Sequence, residues 1–214
     1  MITGIKSEKS IFVEAILFCL GFILFSYFIH HAGILGIVSI SGLIIPAILI
    51  SRRLTSFKLF LQVFGLKKTK KKIFYIVIGL QLGLIYAIIY RNISGMSLFP
   101  VMIKRFAITA AIIGAAEELI FRGYIQEHFK KVNVVFALFY TAFAHSLYKS
   151  FLFLSPSNDM KINILFLLIW TFIGGVIFGL LKEISKSTIP VLLAHAFFDI
   201  LVYGELSQPP WWVW

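Results

Sequence analysis

Acidic side chains are scarce in this chain: nine Asp and Glu stand against twenty Lys and Arg, and charged residues of both signs make up only 14% of 214 positions. A soluble domain carries about 25% charged residues, so an ordinary water-soluble core and shell is excluded. Cysteine is scarcer still. Cys19 alone, inside an apolar run, leaves no internal disulfide framework. Internal repeats and low-complexity tracts are lacking too. What the chain has instead is hydrophobic residues, 60% of the total, and that identifies a polytopic membrane protein. Its excess positive charge clusters between the apolar runs, where it sets topology. It is not a nucleic-acid signal, and no nucleic-acid partner is expected.

The apolar runs predict an all-α, polytopic helical bundle of about seven transmembrane helices, a single integral-membrane domain over residues 1–214. The spans are expected at about Ile11–Phe28, Gly33–Ile50, Ile73–Tyr90, from Val101 past the glutamates, Val132–Leu154, Ile162–Leu181 and Thr188–Tyr203. The first follows Lys6 and Lys9, has spanning length and no small-residue cleavage site, so it is read as an uncleaved span. Residues 51–72 form a basic linker. Within it Leu54–Leu66 reads as an interfacial amphipathic piece, and Lys67, Lys68, Lys70, Lys71 and Lys72 are the densest positive block, a topology and anionic-lipid signal. Arg91–Pro100 and Ser155–Met160 read as loops, and the Trp-rich end as a boundary cluster. Charge alternation places the N-terminus in the cytoplasm and the C-terminus outside, in a plasma (inner) membrane, with lipids as partners.

Against this apolar background, Ala115-Ala116-Glu117-Glu118-Leu119-Ile120-Phe121-Arg122 stands out. Charges in a span are costly and call for a task and a partner. Glu118 and Arg122, four apart, share a helix face and can pair, while Glu117 is rotated about 100° away. One arginine cannot neutralise two carboxylates, which weighs against a purely structural ion network. Glu117 lies thirteen residues before Lys130, His145 fourteen after Lys131, and His195 nine after Lys186. At helical rise these are roughly 20, 21 and 14 Å from the inner charges. Ionisable groups on three spans thus share a depth toward the inner half. Glu14, His30, His31 and His128 sit near span ends and carry no functional expectation.

Such a set can work on water by acid–base chemistry. Glu117 is the candidate general base, with His145 helping to hold the water. His195 can donate to a developing oxyanion, and Asp199, one turn on, can orient its ring or share that role. Glu117, His145 and His195 also form a candidate His₂Glu metal set, to be considered only if the chemistry is metal-dependent. The spacing lacks the clustered His-Glu-x-x-His of soluble zinc proteases. The cofactor is therefore either a divalent metal such as zinc, or none.

Glu117-Glu118-x-x-x-Arg122, a histidine on the next span, and His195-x-x-x-Asp199 resemble the CAAX-protease and bacteriocin-processing (CPBP/Abi) family of intramembrane endopeptidases. The resemblance covers a catalytic core at residues 106–203. It implies an all-helical membrane core with the three motifs on separate helices. It also implies water activation by Glu117 and His145, an oxyanion or supporting role for His195 and Asp199, and electrostatic support from Glu118 and Arg122. The family's mechanism is described both with and without a metal. Where the family has phenylalanine four residues before the histidine, this chain has Thr141, with Phe143 two before. Asp199 stands where asparagine is also common.

The expected activity is hydrolysis of a peptide bond near the cytoplasmic face, in a peptide or protein substrate that is lipidated or not. A proton-coupled transporter is the alternative use of intramembrane carboxylates and histidines, though the paired halves typical of transporters are absent. A non-catalytic immunity or scaffold protein of the same fold is the third reading.

Overall fold

Runs of Leu, Ile, Phe and Ala with no water to satisfy their backbone must form helices, which close every N–H···O=C bond within the segment. The structure, a computed structural model, describes residues 8–29, 31, 33–52, 56–66, 71–154 and 163–206. All regular structure among them is helical. The helices are α1 (Glu8–Phe28), α2 (Ile34–Ser51), α3 (Phe57–Val63), α4 (Lys72–Ile93), α5 (Arg105–Glu118), α6 (Glu127–Phe129), α7 (Val134–Leu154), α8 (Ile164–Ser185) and α9 (Ile189–Val202). A π-helical stretch, Leu119–Gln126, joins α5 to α6. Counting α5 through α6 as one segment and setting the short α3 aside, seven long helical segments match the expected spans in order. By length and composition α2, α4 and α8 are long and apolar enough to cross a membrane, and Phe12–Phe28 and α9 are shorter apolar helices. Lys6, His30, Arg53, Leu54, the lysines at 67, 68 and 70, the 155–160 loop and the Trp-rich tail lie outside the described residues.

The chain divides into two compact units. The first comprises the residues up to Phe60 together with Ile125–Val176. In it α1 and α2 meet backbone to backbone: a Cβ at Gly21 would lie 2.6 Å from the Gly42 carbonyl oxygen. Ser39 Oγ donates to the Phe25 carbonyl at 2.9 Å across the same interface. Against α7, Phe22 and Tyr27 meet Tyr148 and Phe151 edge-on, and the Tyr140 hydroxyl donates to the Ala15 carbonyl. Glu14 and His128 depart from expectation. Both are buried, and Glu14 Oε2 lies 2.8 Å from His128 Nε2.

The second unit comprises Leu61–Tyr124 and the residues from Ile177 onward. Here α9 lies between α4 and α5. Gly79 and Gly83 of α4 abut the Pro190 and Ala194 carbonyls, where no Cβ would fit, so α4 and α9 run parallel at close range. Phe178, Leu181, Val191 and Ala194 form one apolar cluster. Farther along, Ala87, Leu201 and Val202 form another. The start of α9 is pinned to the segment after α3: Thr188 N–H donates to the Gly65 carbonyl at 2.9 Å and its hydroxyl to the Phe64 carbonyl at 2.8 Å. Gly65 has φ +65°, the left-handed conformation that glycine adopts without steric cost.

Three expected boundaries move. Arg91, read as a loop charge, belongs to α4 and is fully buried. The segment Val101–Lys104 precedes the α5 helix instead of opening it. Lys182, read as following its span, lies inside α8, buried, with Nζ 3.0 Å from Glu183 Oε1. Arg91 and Lys182, charges that looked terminal, have acceptors within their own unit.

Candidate active site

The α5 face that meets α9 is built of small residues: Ala110, Ala111 and Gly114 are buried on it at helical spacing. Small side chains let two helices approach closely. They bring the carboxylates at the end of α5 to the middle of α9. There the helix widens into the π stretch Leu119–Gln126, a distortion that recurs at functional sites.

Glu118 is the hub. Its side chain is fully buried, and one oxygen, Oε1, takes two donors. Arg122 Nη1 lies 3.1 Å from it, as the four-residue spacing led us to expect. His195 Nδ1 lies 2.8 Å from the same oxygen. A carboxylate accepts only, so Nδ1 carries the proton and Nε2 is turned the other way. His195 Nε2 lies 3.7 Å from Asp199 Oδ2, beyond hydrogen-bond range. Glu118 thus orients the ring through Nδ1, and Asp199, which sequence spacing offered for orienting the ring or sharing the oxyanion role, lies beside Nε2. Phe178 and Phe198 lie against the imidazole, with ring centroids 5.8 and 6.2 Å away.

Gly114 completes the arrangement, and the sequence reading missed it. A Cβ there would collide with Asp199 Oδ2 and lie 3.0 Å from His195 Cδ2. The absent side chain is the space that Asp199 occupies. The available signal was a glycine one turn ahead of the carboxylates, on the same face as Glu118.

Glu117 is buried at the same turn of α5, 4% exposed. His145 belongs to the first unit, on α7, and is buried with its ring stacked near Tyr148 at 6.3 Å. The substitution of Thr141 for phenylalanine ahead of it is accommodated locally: Thr141 is buried and its hydroxyl donates to the Ala137 carbonyl one turn back at 2.6 Å. The structure thus brings Glu118, Arg122, His195 and Asp199 together, with Glu117 on the adjoining helix position. Among the described residues no group of three or more His, Cys, Asp and Glu side chains is arranged to hold a metal ion. No step below is routed through a metal.

Residues 99–201 match the family model described as "Type II CAAX prenyl endopeptidase Rce1-like". The matched stretch runs from the segment before α5 to the last turn of α9, taking in all three motifs. The chain carries a domain of the CAAX-protease family. No curated protein and no solved structure shows a significant match. The Rce1-like domain and the apolar helices together make this an integral membrane protein that carries a domain of a protease family.

Proposed function

We propose that the protein is an intramembrane endopeptidase that hydrolyses a peptide bond near the cytoplasmic face of the membrane. The observation that carries this reading is the shared oxygen of Glu118, which fixes the His195 ring between two carboxylate-bearing turns of α5 and α9. In the proposed reaction Glu117 takes a proton from water, and the hydroxide attacks the scissile carbonyl. His195, held through Nδ1 and protonated on Nε2 as well, donates its Nε2–H to the oxyanion that forms. Asp199 borders that nitrogen and limits where the ring can swing. Arg122 balances the Glu118 charge, so the hub costs less to keep buried. The proton held by Glu117 then passes to the leaving amine.

Purified protein in liposomes, given prenylated and unmodified C-terminal peptides, tests the reading. New peptide termini, carrying one ¹⁸O atom when the reaction is run in labelled water, support it. Substrate-dependent proton flux without any new terminus would replace it with the transporter reading.

A further inference from the structure

Arg91 shares with Arg122 the place of largest fully buried side chain among the described residues, and it lies at the far end of the second unit from the Thr188 pin. Its guanidinium is used on three sides. Nε donates to the Ser97 carbonyl at 2.6 Å, and Nη1 donates to the Leu201 carbonyl at 2.7 Å. Nη2 donates to Ser97 Oγ and to Glu205 Oε2, each at 3.0 Å. Glu205 continues the chain of contacts: its Oε1 accepts the Val101 N–H at 2.9 Å. Beside it the Lys104 N–H donates to the Gly204 carbonyl at 2.7 Å. Three pieces of backbone are thereby joined: the last turn of α4, the segment leading into α5, and the end of α9.

The geometry of these ties has a direction. The Leu201 carbonyl is among the last of α9, which has no intrahelical donor for them, so Arg91 holds that helix by its end. The Lys104 and Val101 amides lie just before the first turn of α5, so Glu205 and Gly204 hold α5 by its start. Helices α5 and α9 run antiparallel, as Phe106 meeting Tyr203 and Gly114 meeting Asp199 show. Tying the start of one to the end of the other fixes how far each extends along their common axis. Between that tie and the reactive turns the α5 face offers Ala107, Ala110 and Ala111, which have little side chain to interlock.

We infer that the Arg91–Glu205 clamp is a positioning device that sets the axial register of α9 against α5, so that Asp199 falls opposite Gly114 and His195 opposite Glu118. Neither clamp residue touches the reactive groups, and both act through α9. A slip of one residue along an α-helix is about 1.5 Å, enough to drive the Asp199 carboxylate off the Gly114 site and draw His195 Nδ1 away from Glu118. The inference adds to the proposed peptidase site but does not need it, because register is measurable without catalysis.

A disulfide ruler reads it. In a Cys19→Ala background, Gly114→Cys with Asp199→Cys removes the carboxylate that a Cβ at Gly114 would meet and places two thiols across the α5–α9 contact. The pair should cross-link efficiently under mild oxidation. Adding Glu205→Gln should lower the rate about tenfold, the population shift that follows loss of one charge-assisted hydrogen bond, and Arg91→Met, which removes the whole guanidinium, should lower it further. Circular dichroism checks that the helices persist. If Arg91→Met does not fold, Glu205→Gln decides, since it keeps the guanidinium and its other acceptors. An unchanged rate in folded Glu205→Gln overturns the inference, as does failure of the parent pair to cross-link. A chain that cleaves no peptide would still give either result.

Discussion

Glu118 and His195, 77 positions apart in sequence, share a 2.8 Å contact between Oε1 and Nδ1. That contact fixes which imidazole nitrogen is engaged with α5. It gives the two glutamates of the motif different tasks in the proposed reaction: Glu118 holds a histidine and an arginine, and Glu117 acts on water. Replacing Glu118 with Gln keeps the shape but removes the negative charge that Arg122 and His195 face. Breaking one member of a buried ion pair costs about 3–5 kcal/mol when the partner is left behind. The expected outcome is a lowered unfolding temperature in detergent together with loss of cleavage. Arginine to lysine at position 122 should lose less, because a cation remains within reach of Oε1.

Gly114 is expected to tolerate no side chain. Gly114→Ala places a methyl group where Asp199 Oδ2 lies. Overfilling a packed interface costs about 1–3 kcal/mol, and here the flexible neighbours that must yield are the proposed reactive ones. Cleavage should fall as far in Gly114→Ala as in Asp199→Ala, and the double variant should lose little more. Independent, multiplying losses measured in the same assay would show that the glycine acts elsewhere.

Glu205 gives the clamp a pH signature. The Val101 N–H first, and then Arg91, hold its carboxylate below the usual range. A carboxyl group with a depressed pKa in the folded state contributes stability that is present above its unfolded pKa. That contribution is lost as pH falls through the folded value. Near neutral pH, Glu205→Gln should therefore unfold at a lower temperature than the parent. The gap should close on acidification below the folded pKa, when the parent carries a protonated Glu205 as well. A gap that stayed constant with pH would mean that the carboxylate charge is not what the clamp uses.

Helix positions were legible because long apolar runs have no other stable form in a membrane. The Glu118–Arg122 and His195–Asp199 neighbours were legible because helical spacing alone puts them on one face. What could not be read depends on partners distant in sequence. Arg91 looked like a loop charge because its acceptors, Ser97 aside, lie 110 and 114 positions away at Leu201 and Glu205. Glu14 and His128, each unremarkable alone, are also separated by 114 positions. The π stretch has no local mark in Leu119–Gln126, whose composition would serve an α-helix equally well. Sequence spacing put Asp199 beside His195, but the Glu118 contact to Nδ1 comes from another helix and could not be read from spacing.

The central claim is that Glu117 acts on water while Glu118 holds the histidine, and Glu117→Gln in purified, folded protein tests it most directly. The amide is nearly isosteric but cannot take a proton. With the parent unfolding temperature retained, the cleavage rate should fall by about 10²–10⁴, the usual contribution of a general base. Cleavage at the parent rate by folded Glu117→Gln protein would contradict the account.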